Sequence, residues 1–185
     1  MTGPGRPAGP AADTEAVVLT AALELLLAEG AHVLTPQRLH VITGVARTTI
    51  YRHWPTPLEV LAALISVAPH QPSTPSGDLA ADLHAEVDLL CDRLRDKPVA
   101  AFLRALMAAS SDPSYAELRR RYVMDLLEPF RAAVRALGSG DDYAEDAASA
   151  IAAPLLLDVL LLDRPVARAR AHRAVDDLLA RAISS

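Results

Sequence analysis

Within residues 43 to 54, TGVARTTIYRHW, a single glycine precedes two arginines, two more threonines, a tyrosine, a histidine and a tryptophan. Short hydroxyls approach base edges, arginines reach guanine or phosphate, and Tyr and His donate to phosphate oxygens. On one helix, this set of side chains suits the major groove of DNA. A solvated polar face would account for a lone arginine-bearing helix, but the surrounding charge pattern argues for an external partner. Between Glu29 and Glu59 there is no acidic residue, while Arg38, Arg47, Arg52, His32, His40 and His53 all fall in that window of a chain whose net charge is −5. The acidic average hides a local basic stretch.

Other reactive constellations are sparse. His84 and Asp88 stand at i, i+4 with Glu86 between them, a geometry a metal can use, but polar spacing on a helix surface accounts for it. No phosphate loop, nucleophile elbow or His-Glu metal signature occurs, so neither catalysis nor a cofactor or metal is expected. Cys91 is the sole cysteine, which excludes an intrachain disulfide and a cysteine-based zinc site and suits a reducing compartment.

The elements that must carry the basic stretch are helical. The 51% apolar fraction is mostly Ala and Leu, with few β-branched or aromatic runs, so the expected fold class is all-α. Asp13 or Thr14 can cap a first helix running to Glu29, with Val17, Ala21, Leu25 and Leu26 on one face and Gly30 as its stop. Thr35-Pro36 starts a short second helix to about Ile42, because the threonine hydroxyl accepts an orphan amide and proline suits the first helical position. Gly44 permits a turn. A third helix from Ala46 to His53 then puts Ala46, Ile50 and Trp54 on one face and Arg47, Thr48, Tyr51 and Arg52 opposite. Two short helices joined by a tight turn, the second with a polar outer face, make a helix-turn-helix. Thr56-Pro57 opens a fourth helix to about Ala68, and the Pro- and Ser-rich residues 69–77 mark a boundary.

Residues 35–54, TPQRLHVITGVARTTIYRHW, with a helix before them and PTPLEVL after, resemble the DNA-binding domain of TetR-family transcriptional regulators. The resemblance covers about residues 14–66 and is most specific from Gly44 to Trp54. It implies an all-helical homodimer, usually a repressor, that binds a palindromic double-stranded DNA operator and releases it when a small-molecule effector enters the C-terminal domain. By motif position, Thr35 would touch phosphate, Arg47, Thr48 and Thr49 would face bases or adjoining phosphates, and Tyr51, Arg52 and His53 would hold the backbone. Arg38 joins them as a cation of the same window. Val45, Ile50 and Trp54 would pack the third helix onto the first. His40 and Thr43 stand where the family commonly has alanines, which implies a displaced crossing of helices two and three. Ala46 replaces a usual serine cap, and Pro57 a common phosphate-contacting lysine.

The expected organisation is a flexible tail over 1–12, a helix-turn-helix domain with its linking helix over 13–68, and a C-terminal helical bundle for effector binding and dimerisation over 69–185. In that bundle, helices are expected at about 78–95, 98–110, 113–137 with a kink or break at Pro129, 141–162, and 165–183. Residues 147–162, AASAIAAPLLLDVLLL, are apolar around most of a helix and must be covered, either within one chain or by a twofold copy through Leu155, Leu156, Val159 and Leu160. His84, Leu94, Phe102, Met107, Tyr122 and Met124 are effector-pocket candidates, although core packing is the more usual role for each. The N-terminus lacks the apolar core of a signal peptide and no long uncharged apolar stretch follows, so a cytoplasmic location away from membranes is expected. Two other functions compete: an interaction protein of the same fold that has lost DNA binding, and a small helical enzyme. Salt-dependent binding to a genomic palindrome separates the first reading from both.

Overall fold

The computed structural model describes residues 12–68, 71–96, 98–108, 112–136 and 140–183. Among them every regular element is helical: α1 (Ala12–Glu29), a 3₁₀ turn (Ala31–Val33), α2 (Pro36–Thr43), α3 (Arg47–His53), α4 (Pro57–Ser66), α5 (Leu79–Asp96), α6 (Val99–Ala108), α7 (Pro113–Arg135), α8 (Asp141–Leu160) and α9 (Arg168–Ile183). The tail expected over 1–12 lies, except for Ala12, outside the described residues; Ala12 opens α1. No described helix is long and apolar enough to cross a membrane.

The chain clusters into two compact units. One holds α1 to α4 with residues 105–118; the other holds α5, α6 through Arg104, α7 from Arg119, α8 and α9. In the first, α1 buries Val18, Leu19, Ala21, Ala22, Leu25 and Leu26. Val17, expected on that face, is 49% exposed, because the stripe is centred one residue later. Gly30 ends α1 at φ 90°, a conformation that favours glycine, and Leu34 is driven into the core beyond the 3₁₀ turn. Ile50 from α3, Trp54 as its C-cap, Leu39 from α2, and Val60, Leu61 and Leu64 from α4 complete this core.

In the second unit, Leu83, Val87, Leu90 and Leu94 form the buried stripe of α5, while α9 contributes Ala171, Val175 and Leu178. The inner face of α8 is largely alanine, with Ala144, Ala148 and Ala152 at 0–1% exposure, and short side chains let α9 pack closely on it. Pro129 does not split α7, which continues to Arg135 because Leu126, Phe130 and Val134 on both sides of the proline are held in one core.

The segment before α5 is laced to that helix. Ser76 donates to Asp82 Oδ1 through both its amide and its hydroxyl, each at 2.7 Å, the Ser73 amide donates to Glu86, and Arg93 donates to the Gln71 carbonyl. The Ser76 hydrogen bonds hold the Asp82 carboxyl below its ordinary range. That contribution to stability is present above the carboxyl's unfolded-state pKa and is lost as pH falls through its lowered folded value.

Candidate nucleic-acid interface and effector-binding core

The presentation of α3 begins with the turn before it. Gly44 adopts φ 69°, ψ 0°, the left-handed C-cap conformation, and its amide donates to the His40 carbonyl. The following residue, Val45, has both backbone polar groups taken by side chains of α2. The ring of His40 donates through Nδ1 to the Val45 carbonyl at 2.8 Å, which fixes that proton on Nδ1. Thr43 Oγ1 receives the Val45 amide at 3.2 Å and donates to the Leu39 carbonyl at 2.7 Å. His40 and Thr43 therefore build a side-chain brace for the turn. Ala46 caps α3 with its backbone alone, as its residue type requires, and is exposed rather than part of the buried face.

Beyond Ala46 the two faces of α3 separate sharply. Ile50 is fully buried and Trp54 is 5% exposed, whereas Arg47, Thr48, Tyr51 and Arg52 face solvent and Thr49 is half-buried. The Arg47 guanidinium carbon lies 5.1 Å from the Tyr51 ring centroid, and Arg47 Nη2 approaches the Tyr51 hydroxyl at 3.4 Å. A cation over an aromatic face one helical turn away limits the rotamers of Arg47 before DNA arrives. His53 is half-buried beside Trp54, and its Nε2 is enclosed without a hydrogen-bond partner among the described residues. Its ring therefore offers less to a phosphate than Arg52 does.

Thr35 caps α2, accepting the Arg38 amide at 3.2 Å. The Arg38 side chain reaches Glu29 at 3.2 Å, so the acid that ends the acid-free window folds back onto one of its cations. Both groups are about half exposed, and such a pair contributes on the order of 0–1 kcal/mol, a bond that phosphate can replace. Glu59, at the other end of the window, closes a capping box with Thr56 at the start of α4, with Pro57 at the first helical position.

The effector candidates scatter. Leu94, Phe102 and Tyr122 are buried in the second unit, and Phe102 meets Tyr122 edge-on with ring centroids 6.0 Å apart. Burial pushes the Tyr122 phenol well above its ordinary range. Met124 is half-buried in that unit, Met107 belongs to the other, and His84 is held at the surface between α5 and α9. Sequence spacing missed two charged residues of the same region, Glu86 at 5% and Arg93 at 9% exposure. Burial lowers the Arg93 guanidinium from its usual range, opposed by the charges of Glu86 and Tyr122. Their signal in the sequence is weak, since on α5 they alternate with other charged residues.

In α8, Leu155 and Val159 point into the protomer's own core at 0% and 8% exposure. Leu156 and Leu160 are half-buried, and the outward apolar surface is Leu157, Leu161 and Leu162. Asp158 is 2% exposed, with Oδ2 accepting Arg170 Nη1 at 3.1 Å.

Residues 73–178, more than half of the chain, match the family model of the tetracyclin repressor-like C-terminal domain. Across 174 residues the chain is 28% identical to the DNA-binding transcriptional repressor TetR of Mycobacteroides abscessus, covering 89% of this chain and 90% of that protein. Its fold is similar to the crystal structure of the TetR family transcription regulator SCO0332, with a TM-score of 0.68 and 28% identity over 91% of this chain and 97% of the other. A TetR transcriptional regulator from Agrobacterium tumefaciens shares the fold at a TM-score of 0.66 and 24% identity, over 91% and 94% of the two chains.

Proposed function

The chain belongs to the TetR family of DNA-binding transcriptional regulators, and from that premise we propose that it is a repressor. It binds a palindromic operator as a homodimer and releases it when a small molecule enters the second unit. The observation that carries this reading is the division of α3, where Ile50 and Trp54 lock the helix into its unit while Arg47, Thr48, Tyr51 and Arg52 remain exposed. Arg47 and Thr48, nearest the start of α3, enter the groove, and Arg52 positions the protein on the backbone. Arg93, Glu86 and Tyr122, beside Phe102 and Leu94, supply the polar and apolar groups that bind the effector.

The test is titration against the palindrome nearest the protein's own gene and against random duplex DNA. Thr48→Ala should change the preferred operator, whereas Arg52→Ala should weaken all sites nearly uniformly and flatten the salt slope by about 1 per lost phosphate contact. Equal losses on operator and random DNA for both variants would overturn these roles. Absence of salt-dependent binding in the unaltered protein would favour an interaction protein that has lost DNA binding.

Pro57 has no amide and no charge to offer a phosphate at the start of α4. Pro57→Lys should therefore tighten binding, adding about two phosphate contacts per dimer and steepening log K against log salt by about 1.8. Loss of proline from the helix start and a cation near the positive end of the dipole should cost about 1 kcal/mol of folding stability, which leaves the slope unaffected. An unchanged slope would show that α4 does not meet the DNA backbone.

A further inference from the structure

Helices α5 and α9 carry the same four-residue spacing, His84 with Asp88 and His172 with Asp176, and they pack so that each histidine meets the other helix's aspartate. His84 Nε2 lies 3.2 Å from Asp176 Oδ1, and His172 Nε2 lies 3.0 Å from Asp88 Oδ1. The two Nδ1 atoms face each other at 2.7 Å, with the rings tilted by 35°. An ionised carboxylate can only accept, so the His172 Nε2 that meets Asp88 carries a proton, and in a neutral ring its Nδ1 is then a bare lone pair. That lone pair faces the Nδ1 of His84 at 2.7 Å, so either a proton donated by His84 Nδ1 or a metal ion must lie between the two nitrogens. Imidazoles whose far N–H groups are held by carboxylates are also the usual form of metal-ligating histidines, because the carboxylate fixes the ring and raises the basicity of the ligating nitrogen.

We propose that His84 Nδ1 and His172 Nδ1 together bind a divalent transition metal of tetragonal preference, Cu(II) or Ni(II), with Asp176 and Asp88 as the outer carboxylates. Metal–imidazole bonds of about 2.0–2.1 Å at a right angle put the two nitrogens about 2.9 Å apart, against about 3.3 Å for a tetrahedral ion. The observed 2.7 Å is nearer the first. No group of three or more His, Cys, Asp or Glu side chains able to hold a metal occurs among the described residues, so the protein supplies two ligands and water completes the sphere. The histidine side chains are 30% and 27% exposed, which leaves a way in from solvent. Arg168 bridges Asp88 and Asp92, and Arg95 also pairs with Asp92; with Asp176, three carboxylates stand beside two guanidiniums, an excess of one negative charge that favours a cation. The bound ion would clasp α5 to α9 across 88 residues of sequence.

The experiment is titration of the untagged full-length chain with Cu(II), followed by electron paramagnetic resonance. One equivalent per chain should bind, with a tetragonal signal split by two imidazole nitrogens. His84→Gln and His172→Gln, checked for folding by circular dichroism, should each remove the two-nitrogen signal. Asp176→Asn should weaken binding by about tenfold or more while keeping it. A two-nitrogen signal that survives both histidine variants would assign the metal to others of the six histidines and overturn the proposal. Absence of stoichiometric binding in the unaltered chain would overturn it too, leaving a proton as the cation between the rings.

Discussion

Trp54→Ala should destabilise the DNA-binding unit by about 3–5 kcal/mol, whereas Tyr51→Ala, one turn earlier, should cost no more than about 1 kcal/mol and weaken operator binding instead. Trp54 is 5% exposed among the buried residues of the first unit, so truncation removes its transfer energy and leaves a cavity that a core including Leu39, Ile50 and Leu61 cannot refill without moving helices. Against a typical total of 5–15 kcal/mol, that is a large fraction of the stability of a small unit. Tyr51 is 38% exposed, and Arg47 approaches it by cation–π and hydrogen-bonding contacts. Losing it frees Arg47 to sample more rotamers, so the cost appears when DNA binds. Denaturant unfolding followed by far-ultraviolet circular dichroism checks the first effect, since Trp54 is the sole tryptophan and its removal deletes the fluorescence probe. Anisotropy on labelled operator checks the second. If Tyr51→Ala unfolded the unit and Trp54→Ala only weakened binding, the two faces of α3 would have been assigned the wrong way round.

Local rules placed the starts of α2 to α4 and the turn between α2 and α3 because their determinants lie within a few residues of one another, though Ala46, expected on the buried face, is exposed. Thr35, Thr56 and Gly44 each act over three or four positions, and those caps and that turn appear in the structure where hydroxyl, proline and glycine chemistry put them. The same rules misplaced Val17, since a stripe of alanines and leucines leaves the phase of a helix uncertain by about one residue. They also could not show what His40 and Thr43 do. As replacements for alanine these residues read as obstacles, yet each turns its polar atom onto the backbone around Val45, a role visible only once the chain has turned at Gly44.

Long-range pairing was illegible for a different reason. His84 with Asp88 reads as ordinary surface spacing because the atoms that complete the group, on His172 and Asp176, come from the far end of the chain. Glu86 and Arg93 gave no sign of burial, because what covers them includes the segment around Gln71 and Ser73. For α8, composition demanded cover but could not divide it. Ala144, Ala147, Ala148, Ala152 and Asp158 go inward with Leu155 and Val159, Leu156 and Leu160 are half-buried, and Leu157 stays outside.

That division makes the dimer testable by residues that one protomer does not need. Leu157 is 44% exposed, Leu161 68% and Leu162 43%, large apolar side chains at the C-terminal end of α8 and just beyond it that a lone chain would leave in water. A twofold copy would cover them, with Leu156 and Leu160, half-buried beside them, at the border. Leu157→Arg combined with Leu161→Arg should therefore yield a folded monomer, because both positions already face solvent in the protomer. Affinity for a two-half-site operator should fall by about 10²–10⁴-fold, since the second reading head no longer arrives as a tethered one, whereas binding to an isolated half-site should change little. Leu155→Arg should behave differently: at 0% exposure it would put an unpaired charge into the protomer's own core and cost roughly 3–5 kcal/mol, so the chain itself unfolds. Sedimentation velocity and circular dichroism on the two variants separate these outcomes. A double arginine variant that sediments as an intact dimer would remove this end of α8 from the interface, and a Leu155→Arg chain that stays folded would show that the core of the second unit is not packed as described.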